Sequence, residues 1–198
     1  LYMGTFHSIF SRILRAEADH IGFNNNFTIY DESDSRSLLK AIIKEKGFDD
    51  KTYKPAAVHA KISMAKNNLV TPEIYRADKD YYDRDKHANM PGVGEIYEVY
   101  VQRCKQANAM DFDDLLMLTF QLFRDHEEIR QKYSDRFDFI LVDEYQDTNH
   151  VQMKIVMQLC KEKNRVCAVG DDSQSIYSFR GANIDNILRF QSQLKGAK

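Results

Sequence analysis

The sequence predicts an α/β fold, in which a domain with a parallel sheet is interrupted by a block of helices. Two short apolar runs, residues 139–142 and 165–169, have the composition of strands, and acidic residues follow both of them. The first run is continuous, which favours a strand that is buried on both faces of a parallel sheet. The segment from His150 to Lys163 lies between the runs and has an amphipathic pattern of helical period. Strand, crossover helix and strand form a βαβ unit, so both acidic ends are expected at the same edge of the sheet.

The block of helices is predicted from four amphipathic segments that are joined by polar loops. Three of them have a start or stop signal, which is a Pro in the first turn, a Thr-Pro pair or a closing Gly. The predicted helices are Asp31 to Lys46, a helix opened by Pro55, a helix capped by Thr71 and Pro72, and Val93 to Ala107. The run from Asp78 to Gly94 is charged and is interrupted by Pro91 and Gly92, so it predicts a loop.

These patterns divide the chain into two domains. Residues 1–27 and 109–198 are predicted to form the sheet domain, and residues 28–108 are predicted to form an all-helical insertion. The return to the sheet domain is marked by Asp111 and Asp114, which have the spacing of a capping box before an apolar helical face.

Composition narrows the possible classes of function. The chain has 198 residues, of which 43% are hydrophobic and 29% charged, and this is enough to bury a core. Its formal net charge of -2 excludes a general attraction to nucleic acid, so any DNA contact must come from a local patch. Three cysteines without paired spacing indicate reduced thiols in a cytoplasmic protein rather than a disulfide or zinc framework. Every apolar run is shorter than the ~20 residues that a membrane span needs.

Asp143 and Glu144 directly follow the first predicted strand. In open α/β sheets, ligands bind at the carboxyl ends of the strands. Two adjacent acids at this place suggest that Asp143 holds a magnesium ion, directly or through water, while Glu144 orients and deprotonates an attacking water. The plain alternative is that these acids only form a turn or cap the next helix.

The segment Asp143 to Asn149, with the sequence DEYQDTN, resembles the Walker B segment of the UvrD/PcrA/Rep-like superfamily 1 DNA helicases. The resemblance extends over essentially the whole chain and corresponds to the middle of the amino-terminal half of such a helicase. It implies a partial RecA-like domain of the P-loop NTPase type with an inserted helical subdomain. The family also carries an element like DFDDL, found here at residues 111–115, which supports the register of the resemblance.

A second motif, GTFHS at residues 4–8, precedes the apolar face of a predicted helix. Thr5 or Ser8 can cap that helix, and capping alone explains the two hydroxyls. By resemblance, however, the motif is one that meets the phosphates of single-stranded DNA, a role that suits the amino terminus of a helix. The DNA-binding residues that the resemblance implies here are Thr5, Phe6, His7 and Ser8.

A third motif, from Gly170 to Ala182, follows the second predicted strand. By resemblance to the helicases, Gln174 senses the terminal phosphate of the nucleotide and shares the catalytic role with Glu144. The implied DNA-binding residues of this motif are Tyr177, Phe179 and Arg180. Many relatives carry Trp where this chain has Phe179, so base stacking is expected to survive here with less strength.

The predicted function is that of a fragment of an ATP-dependent DNA helicase, which couples ATP hydrolysis to movement on single-stranded DNA and to duplex unwinding. ATP and Mg²⁺ are the expected cofactors. The expected partners are single-stranded DNA, single-strand/duplex junctions and the rest of the parent chain, with no membrane. The sequence opens at Leu1 without an initiator Met and contains no G-x-x-x-x-G-K-[ST] loop. We therefore expect a fragment that does not hydrolyse ATP by itself.

Three alternatives account for parts of the sequence. An ATP-driven subunit of a recombination helicase-nuclease shares these motifs. A non-catalytic module that binds DNA or a partner follows if the parent also lacks the phosphate-binding loop. A metal nuclease is disfavoured, because no His or Lys pattern supports the acids and Gln174 would have no role. The acids of such a nuclease would be Asp143, Glu144, Asp147 and Asp171.

Overall fold

The computed structural model describes residues 1–160 and 166–171, and the chain divides into two compact units, Leu1–Met117 and Leu118–Lys198. Helices and short parallel strands occur together, which confirms the predicted α/β class. The helices in the described part are α1 (Phe6–Ala16), α2 (Glu32–Glu45), α3 (Pro55–Asn67), α4 (Pro72–Ala77), α5 (Lys79–His87), α6 (Val93–Gln106), α7 (Phe112–Asp125), α8 (Glu127–Arg136) and α9 (His150–Cys160). The strands in the described part are β1 (Thr28–Tyr30), β2 (Ala109–Asp111), β3 (Ile140–Val142) and β4 (Val166–Ala168).

Local capping explains why helices of the first unit begin where the sequence predicts. The Asp31 carboxylate accepts from the backbone N–H of Asp34 at 2.8 Å, and the Asp34 carboxylate accepts from that of Asp31 at 3.1 Å. Pro55 occupies the first turn of α3, and the Thr71 hydroxyl accepts from the backbone N–H of Ile74 at 3.4 Å. The predicted helices at α2, α3, α4 and α6 are confirmed.

The predicted loop from Asp78 to Gly94 is wrong over Lys79–His87, because this segment is the helix α5. The Asp78 carboxylate caps α5 by accepting from the backbone N–H of Asp80 at 2.8 Å. The segment has a charged, weakly patterned sequence, and such a sequence seldom specifies a helix by itself. Packing against other elements decides its conformation.

Asp85 is the buried residue of α5, with 2% of its surface exposed. Its carboxylate accepts from Lys61 Nζ of α3 at 2.8 Å and from the Tyr75 hydroxyl of α4 at 2.8 Å. A buried carboxylate needs such partners, since an unpaired buried charge is costly. α5 is thereby joined to two other helices through a polar contact that its own sequence does not reveal.

The first unit has a hydrophobic core formed mainly by α2, α3, α4 and α6. The residues of this core that are at most 2% exposed are Leu39, Ile42, Ile43, Val58, Ile62, Ala65, Val93, Ile96, Tyr97, Tyr100 and Cys104. Burial of these side chains provides the main favourable term for folding of the helical block.

Strands β1 and β2 pair in parallel, with Thr28 opposite Ala109 and Tyr30 opposite Asp111. The two strands stand at the beginning and the end of the helical block along the chain. The two ends of the block therefore lie next to each other within this unit. The division of the chain into a sheet domain and an insertion at residues 28–108 stays a prediction.

A network of charged groups is buried where the helical block returns to β2 and α7. Lys66 of α3 is 1% exposed, and its Nζ lies 2.7 Å from Asp111 Oδ2 and 2.7 Å from Asp114 Oδ1. The Tyr100 hydroxyl of α6 donates to the same Oδ2 of Asp111 at 2.9 Å. The backbone N–H of Asp111 donates to the Asp114 carboxylate at 3.1 Å, and that of Asp114 donates to the Asp111 carboxylate at 2.8 Å, which confirms the predicted capping box. The cap of α7 thus also neutralises a buried lysine from another helix.

Burial and mutual charge control the titration of this network. Burial lowers the pKa of Lys66, but the carboxylates of Asp111 and Asp114 raise it more, so this pKa lies well above its usual value. Burial raises the pKa of Asp111, but the opposing effect of Lys66 and of the hydrogen bonds is larger. The pKa of Asp111 therefore lies below its usual value. Lys66 is one cation facing two carboxylates, and it does not offset all of their negative charge. Burial and the charge of Asp111 therefore raise the pKa of Asp114 to about 7. The carboxylate pair therefore keeps a proton up to near-neutral pH.

Asp114→Asn is expected to change how stability depends on pH. The pKa of Asp114 is about 7 in the fold against an ordinary 3.8, so the native state binds the extra proton between these values. This group therefore makes the free energy of unfolding fall as pH rises from 3.8 to about 7, and Asn removes that fall. Urea denaturation at a series of pH values measures the difference.

Asp113→Asn is the control for this prediction. Asp113 lies on the same helical turn, and its carboxylate accepts from the neutral amide of Asn67 at 2.8 Å. The control variant should keep the pH dependence of the unchanged chain. If Asp114→Asn also keeps it, Asp114 does not hold the extra proton.

In the second unit, β3 and β4 pair in parallel, with Ile140 opposite Val166 and Val142 opposite Ala168. The helix α9 lies between them along the chain, and the predicted strand–helix–strand order is therefore confirmed for the described residues. Parallel pairing puts the carboxyl ends of both strands at one edge, as the sequence predicts.

The prediction that the first strand is buried on both faces is wrong. Val142 is 5% exposed, whereas Phe139 is 70% and Leu141 76% exposed. Side chains alternate along a strand, so neighbouring residues point to opposite faces. One face of this strand is covered and the other is open, although the residue types on both faces are apolar.

Two side chains of α8 bind the last turn of α9. Arg130 donates from one guanidinium nitrogen to the Gln158 carbonyl at 2.9 Å, and the Ser134 hydroxyl donates to the Leu159 carbonyl at 2.7 Å. Carbonyls in the last turn of a helix lack partners within the helix, so these donors satisfy them. The contact fixes the end of α9. The beginning of α9 follows the segment Asp143 to Asn149, which is called the acidic segment below.

None of the helices described for this chain is both long and apolar enough to cross a bilayer.

Candidate nucleotide and nucleic-acid sites

Asp143 and Glu144 lie at the carboxyl end of β3, and both are exposed. The ladder between the strands continues beyond them, since Val169 donates to the Val142 carbonyl at 2.8 Å and Tyr145 donates to the Val169 carbonyl at 2.9 Å. The two acids are therefore held between hydrogen-bonded positions on either side. Their predicted position at the sheet edge is confirmed, whereas their roles stay a prediction.

Glu144 adopts a left-handed backbone conformation with φ of 50°. A non-glycine residue there is strained by roughly 1–2 kcal/mol, and such strain often accompanies functional sites. The residues after it, Tyr145–Asp147, form a short 3₁₀ turn. This abrupt turn directs the chain away from the strand directly after the two acids.

The donor set at this edge suits magnesium. Asp143 Oδ1 accepts from the backbone N–H of Glu144 at 3.0 Å, which orients the carboxylate. Among the described residues, no three His, Cys, Asp or Glu side chains form a group that could enclose a metal. Mg²⁺ in phosphoryl-transfer sites uses one or two carboxylates, with the remaining positions taken by water and substrate phosphates. A single carboxylate such as Asp143 therefore fits this metal.

Gln146 is a residue of this site that sequence reasoning missed. Its side chain amide donates to Glu144 Oε2 at 2.6 Å, and its amide oxygen accepts from the backbone N–H of Asp171 at 3.1 Å. Gln146 is 1% exposed, although it lies among exposed acids. Its position in the DEYQDTN segment was the one feature of the sequence that could have marked Gln146 as functional. Local sequence does not show that its two partners follow the ends of two different strands.

The third motif is described only up to Asp171, which follows β4. The bond between Asp171 and Gln146 shows that the beginning of this motif lies beside the acidic segment. The remaining predicted residues of the motif lie outside the described residues. They are Gln174, Tyr177, Phe179 and Arg180.

In the first unit, the predicted DNA-binding residues lie at the start of α1. The Thr5 hydroxyl accepts from the backbone N–H of Ser8 at 3.2 Å, and the Ser8 hydroxyl donates to the Thr5 carbonyl at 2.9 Å. The predicted capping role is therefore confirmed for Thr5. Gly4 has φ of 146°, and a Cβ there would lie 2.5 Å from Ser8 Oγ. This turn thus requires glycine.

His7 contacts an aromatic residue that the sequence analysis did not identify as functional. Its ring meets the ring of Phe112 edge-on, with centroids 5.6 Å apart and an interplanar angle of 87°. Phe112 is 41% exposed and begins α7. The structure therefore brings GTFHS and DFDDL together, and it adds an exposed aromatic ring to the candidate DNA site.

The two arginines of α1 differ in their surroundings. Arg15 lies 4.2 Å above the Phe27 ring and donates to the Asn25 carbonyl at 2.9 Å, so it holds the following loop. Arg12 lies nearer the motif, with its guanidinium 5.2 Å from the centre of the Tyr2 ring. A site with so few cations neutralises few phosphates, and its DNA affinity is expected to be sensitive to salt.

Several curated proteins are similar to this chain over its full length or nearly so. The ATP-dependent DNA helicase PcrA of Staphylococcus epidermidis (strain ATCC 12228 / FDA PCI 1200) is 42% identical over 198 residues, which are 100% of this chain and 26% of that protein. The ATP-dependent DNA helicase PcrA of Bacillus subtilis (strain 168) is 41% identical over the same length, with the same shares. The PcrA protein of Staphylococcus aureus (strain NCTC 8325 / PS 47) is 42% identical over 191 residues, 96% of this chain and 25% of that protein. The chain spans about a quarter of the length of these relatives.

A model of a protein family also matches nearly the whole chain. The model of the UvrD/REP helicase N-terminal domain matches residues 1–195, which include all three motifs. The chain therefore belongs to the UvrD/REP helicase N-terminal domain family.

Proposed function

We propose that this chain is a segment of an ATP-dependent DNA helicase that moves along single-stranded DNA and unwinds duplexes. The observation that carries the proposal is the pair Asp143–Glu144 at the carboxyl end of β3, with Glu144 held by Gln146. Family membership and the PcrA relatives support this assignment. A RecA-like sheet, larger than the two short pairs described here, and a cytoplasmic location are parts of the same proposal.

In the proposed mechanism, Asp143 holds Mg²⁺ and Glu144 acts on the attacking water. Bound Mg²⁺ supplies charge neutralisation at the nucleotide phosphates. The Asp143 carboxylate at the strand end would hold it, directly or through water. Glu144 would orient a water for in-line attack and accept its proton. Gln174 would contact the terminal phosphate.

The chain by itself is proposed to be inactive as an ATPase. Phosphoryl transfer depends almost entirely on positioning and charge neutralisation. The loop with the sequence G-x-x-x-x-G-K-[ST] usually supplies the Lys and the backbone amides for this task, and residues 1–198 do not contain it. ATP and Mg²⁺ are thus proposed as cofactors of the whole helicase.

Single-stranded DNA and its junctions with duplex are the proposed substrates. In the first unit, the start of α1 offers backbone groups and His7, and Phe112 offers an exposed ring beside them. Exposed aromatic side chains provide stacking surfaces for bases of any sequence. Phe6, Tyr177, Phe179 and Arg180 are proposed as further DNA contacts on the basis of the family resemblance.

The proposal as a whole is tested with the full-length protein. Its Mg²⁺-dependent ATP hydrolysis should rise when single-stranded DNA is added, and it should separate the strands of a duplex with a single-stranded tail. An ATPase that does not respond to DNA would contradict the proposed function. DNA binding without any ATP hydrolysis would favour the non-catalytic module.

Phe112→Ala in the full-length protein is expected to weaken single-stranded DNA binding by about 5–150-fold, because a base stacked on an aromatic ring contributes ~1–3 kcal/mol. ATP hydrolysis without DNA should be unchanged, since Phe112 contacts His7 and lies outside the acidic segment. Fluorescence anisotropy with a labelled oligonucleotide measures the affinity.

Tyr82→Ala is the matched control, because Tyr82 is 49% exposed and also carries an aromatic ring on a helix of the first unit. Its loss should have much less effect on single-strand affinity. Equal effects of the two substitutions would show that Phe112 is not a specific stacking contact.

A further inference from the structure

Gln146 is the only residue among those described here whose side chain connects Glu144 with Asp171. Glu144 follows β3 and Asp171 follows β4, so the connection joins the ends of two paired strands. The amide of Gln146 is buried, whereas both of the residues that it binds are exposed. The buried side chain of Gln146 therefore bonds to two exposed positions at once.

The partners fix which way the amide points. A carboxylate can only accept a hydrogen bond, so the amide nitrogen must face Glu144 at 2.6 Å. A backbone N–H can only donate, so the amide oxygen must face Asp171 at 3.1 Å. Both ends of the side chain are thus satisfied in a single orientation, and the bond to the carboxylate is charge-assisted and strong.

We infer that Gln146 is a positioning residue, which holds the Glu144 carboxylate in the geometry needed to act on water and makes that geometry depend on the backbone at Asp171. The inference rests on the proposed function, in which Glu144 is the general base. Gln146 acts through Glu144 and does not itself take or give a proton.

Glu144 requires such support because of its surroundings. It lies on a strained turn at the surface, and a glutamate side chain in water samples many rotamers. A general base must stay within about 2.6–3.2 Å of the proton that it removes. The Gln146 amide holds Oε2 in one place, which orients the whole carboxylate. The bond to the N–H of Asp171 holds the amide itself.

The second bond gives the arrangement a regulatory consequence. A shift of the backbone at Asp171 must move the amide oxygen of Gln146, or break its bond, and either change alters the other end of the amide at Glu144. The end of β4 can therefore influence the base without touching it. Two sites that share one rigid side chain are coupled in both directions.

The experiment compares Gln146→Met with Gln152→Met in the full-length protein. Met preserves the length and volume of Gln and removes the hydrogen bonds of the side chain. Gln152 is a suitable control because its Oε1 accepts from the backbone N–H of Asn149 at 2.9 Å, a helix-capping bond in the next segment. For each variant, kcat of DNA-stimulated ATP hydrolysis, nucleotide affinity and melting temperature are measured.

The inference predicts that Gln146→Met lowers kcat by about 10–100-fold with nucleotide affinity unchanged, since a small misplacement of a reacting group has effects of this size. Gln152→Met should lower the melting temperature and leave kcat unchanged. If the two variants lower kcat equally, or if Gln146→Met reduces affinity and kcat in parallel, Gln146 is a structural residue and the inference is wrong.

Glu144→Gln and the double variant Glu144→Gln/Gln146→Met separate this inference from the proposed function. A residue that acts through Glu144 should cause no further loss of kcat once the base is removed, whereas independent effects add. An additive loss overturns the positioning role and leaves Glu144 as the base. Full turnover in Glu144→Gln overturns the proposed function, and the inference fails with it.

Discussion

Glu144→Gln in the full-length protein is expected to lower the turnover of ATP by a factor of about 10²–10⁴, the usual contribution of the general base that Glu144 is proposed to be, and to leave nucleotide binding nearly intact. Gln keeps the shape of Glu and can still bond to Gln146, but it cannot accept a proton from water. Glu144 is exposed at the strand end, so the substitution removes no packing. Single-turnover hydrolysis and binding of a fluorescent ATP analogue measure the two quantities separately.

Glu128→Gln is the control for this prediction, because it makes the same chemical change on α8 at a side chain that is 72% exposed. It should have no effect on turnover. If Glu144→Gln reduces binding and turnover to the same degree, the residue supports the fold of the site and does not act on the water.

Lys66→Met is expected to destabilise the fold by ~3–5 kcal/mol, because it removes one partner from a buried group of charges. Lys66 is the cation between Asp111 and Asp114, each 2.7 Å away, and these carboxylates would remain buried without it. The apolar Met side chain fills much of the space of Lys66 but cannot balance the negative charge of the carboxylates. Denaturation by urea at neutral pH, followed by circular dichroism, measures the change in the free energy of unfolding.

Lys46→Met is the matched control for the buried network. The ion pair of Lys46 with Glu95 has a similar distance of 2.8 Å, but the two side chains are 36% and 49% exposed. Exposed pairs typically contribute 0–1 kcal/mol, so little change is expected. Similar losses in the two variants would mean that the network around Lys66 gives no special stability.

The buried network also explains what the DFDDL element does in this structure. Asp111 and Asp114 have the spacing of a capping box, and the bond from the backbone N–H of each to the carboxylate of the other confirms that role. The same carboxylates neutralise Lys66, which lies 45 residues from Asp111 along the chain. The helical block and the start of α7 are thus joined by charge as well as by the pairing of β1 with β2.

Local features of the sequence determined the elements that depend on near neighbours. The capping bonds of α2 and α4 span three residues, so their signals are contained in a short stretch. The order β3, α9, β4 was predicted from the spacing of apolar residues in each segment. The parallel pairing of the two strands followed from the general rules of chain connection. The DEYQDTN segment was long enough to identify the family, which the match over residues 1–195 confirms.

Tertiary structure alone decided the features that depend on distant partners. In the charged helix α5, Asp85 is buried through its bonds to Lys61 and Tyr75 on other helices. Gln146 bonds to Asp171, which is 25 residues away, and Lys66 bonds to Asp111, which is 45 residues away. A residue type shows that a side chain can ionise or donate, but the burial and the partners that fix its role arise only when separate segments fold together.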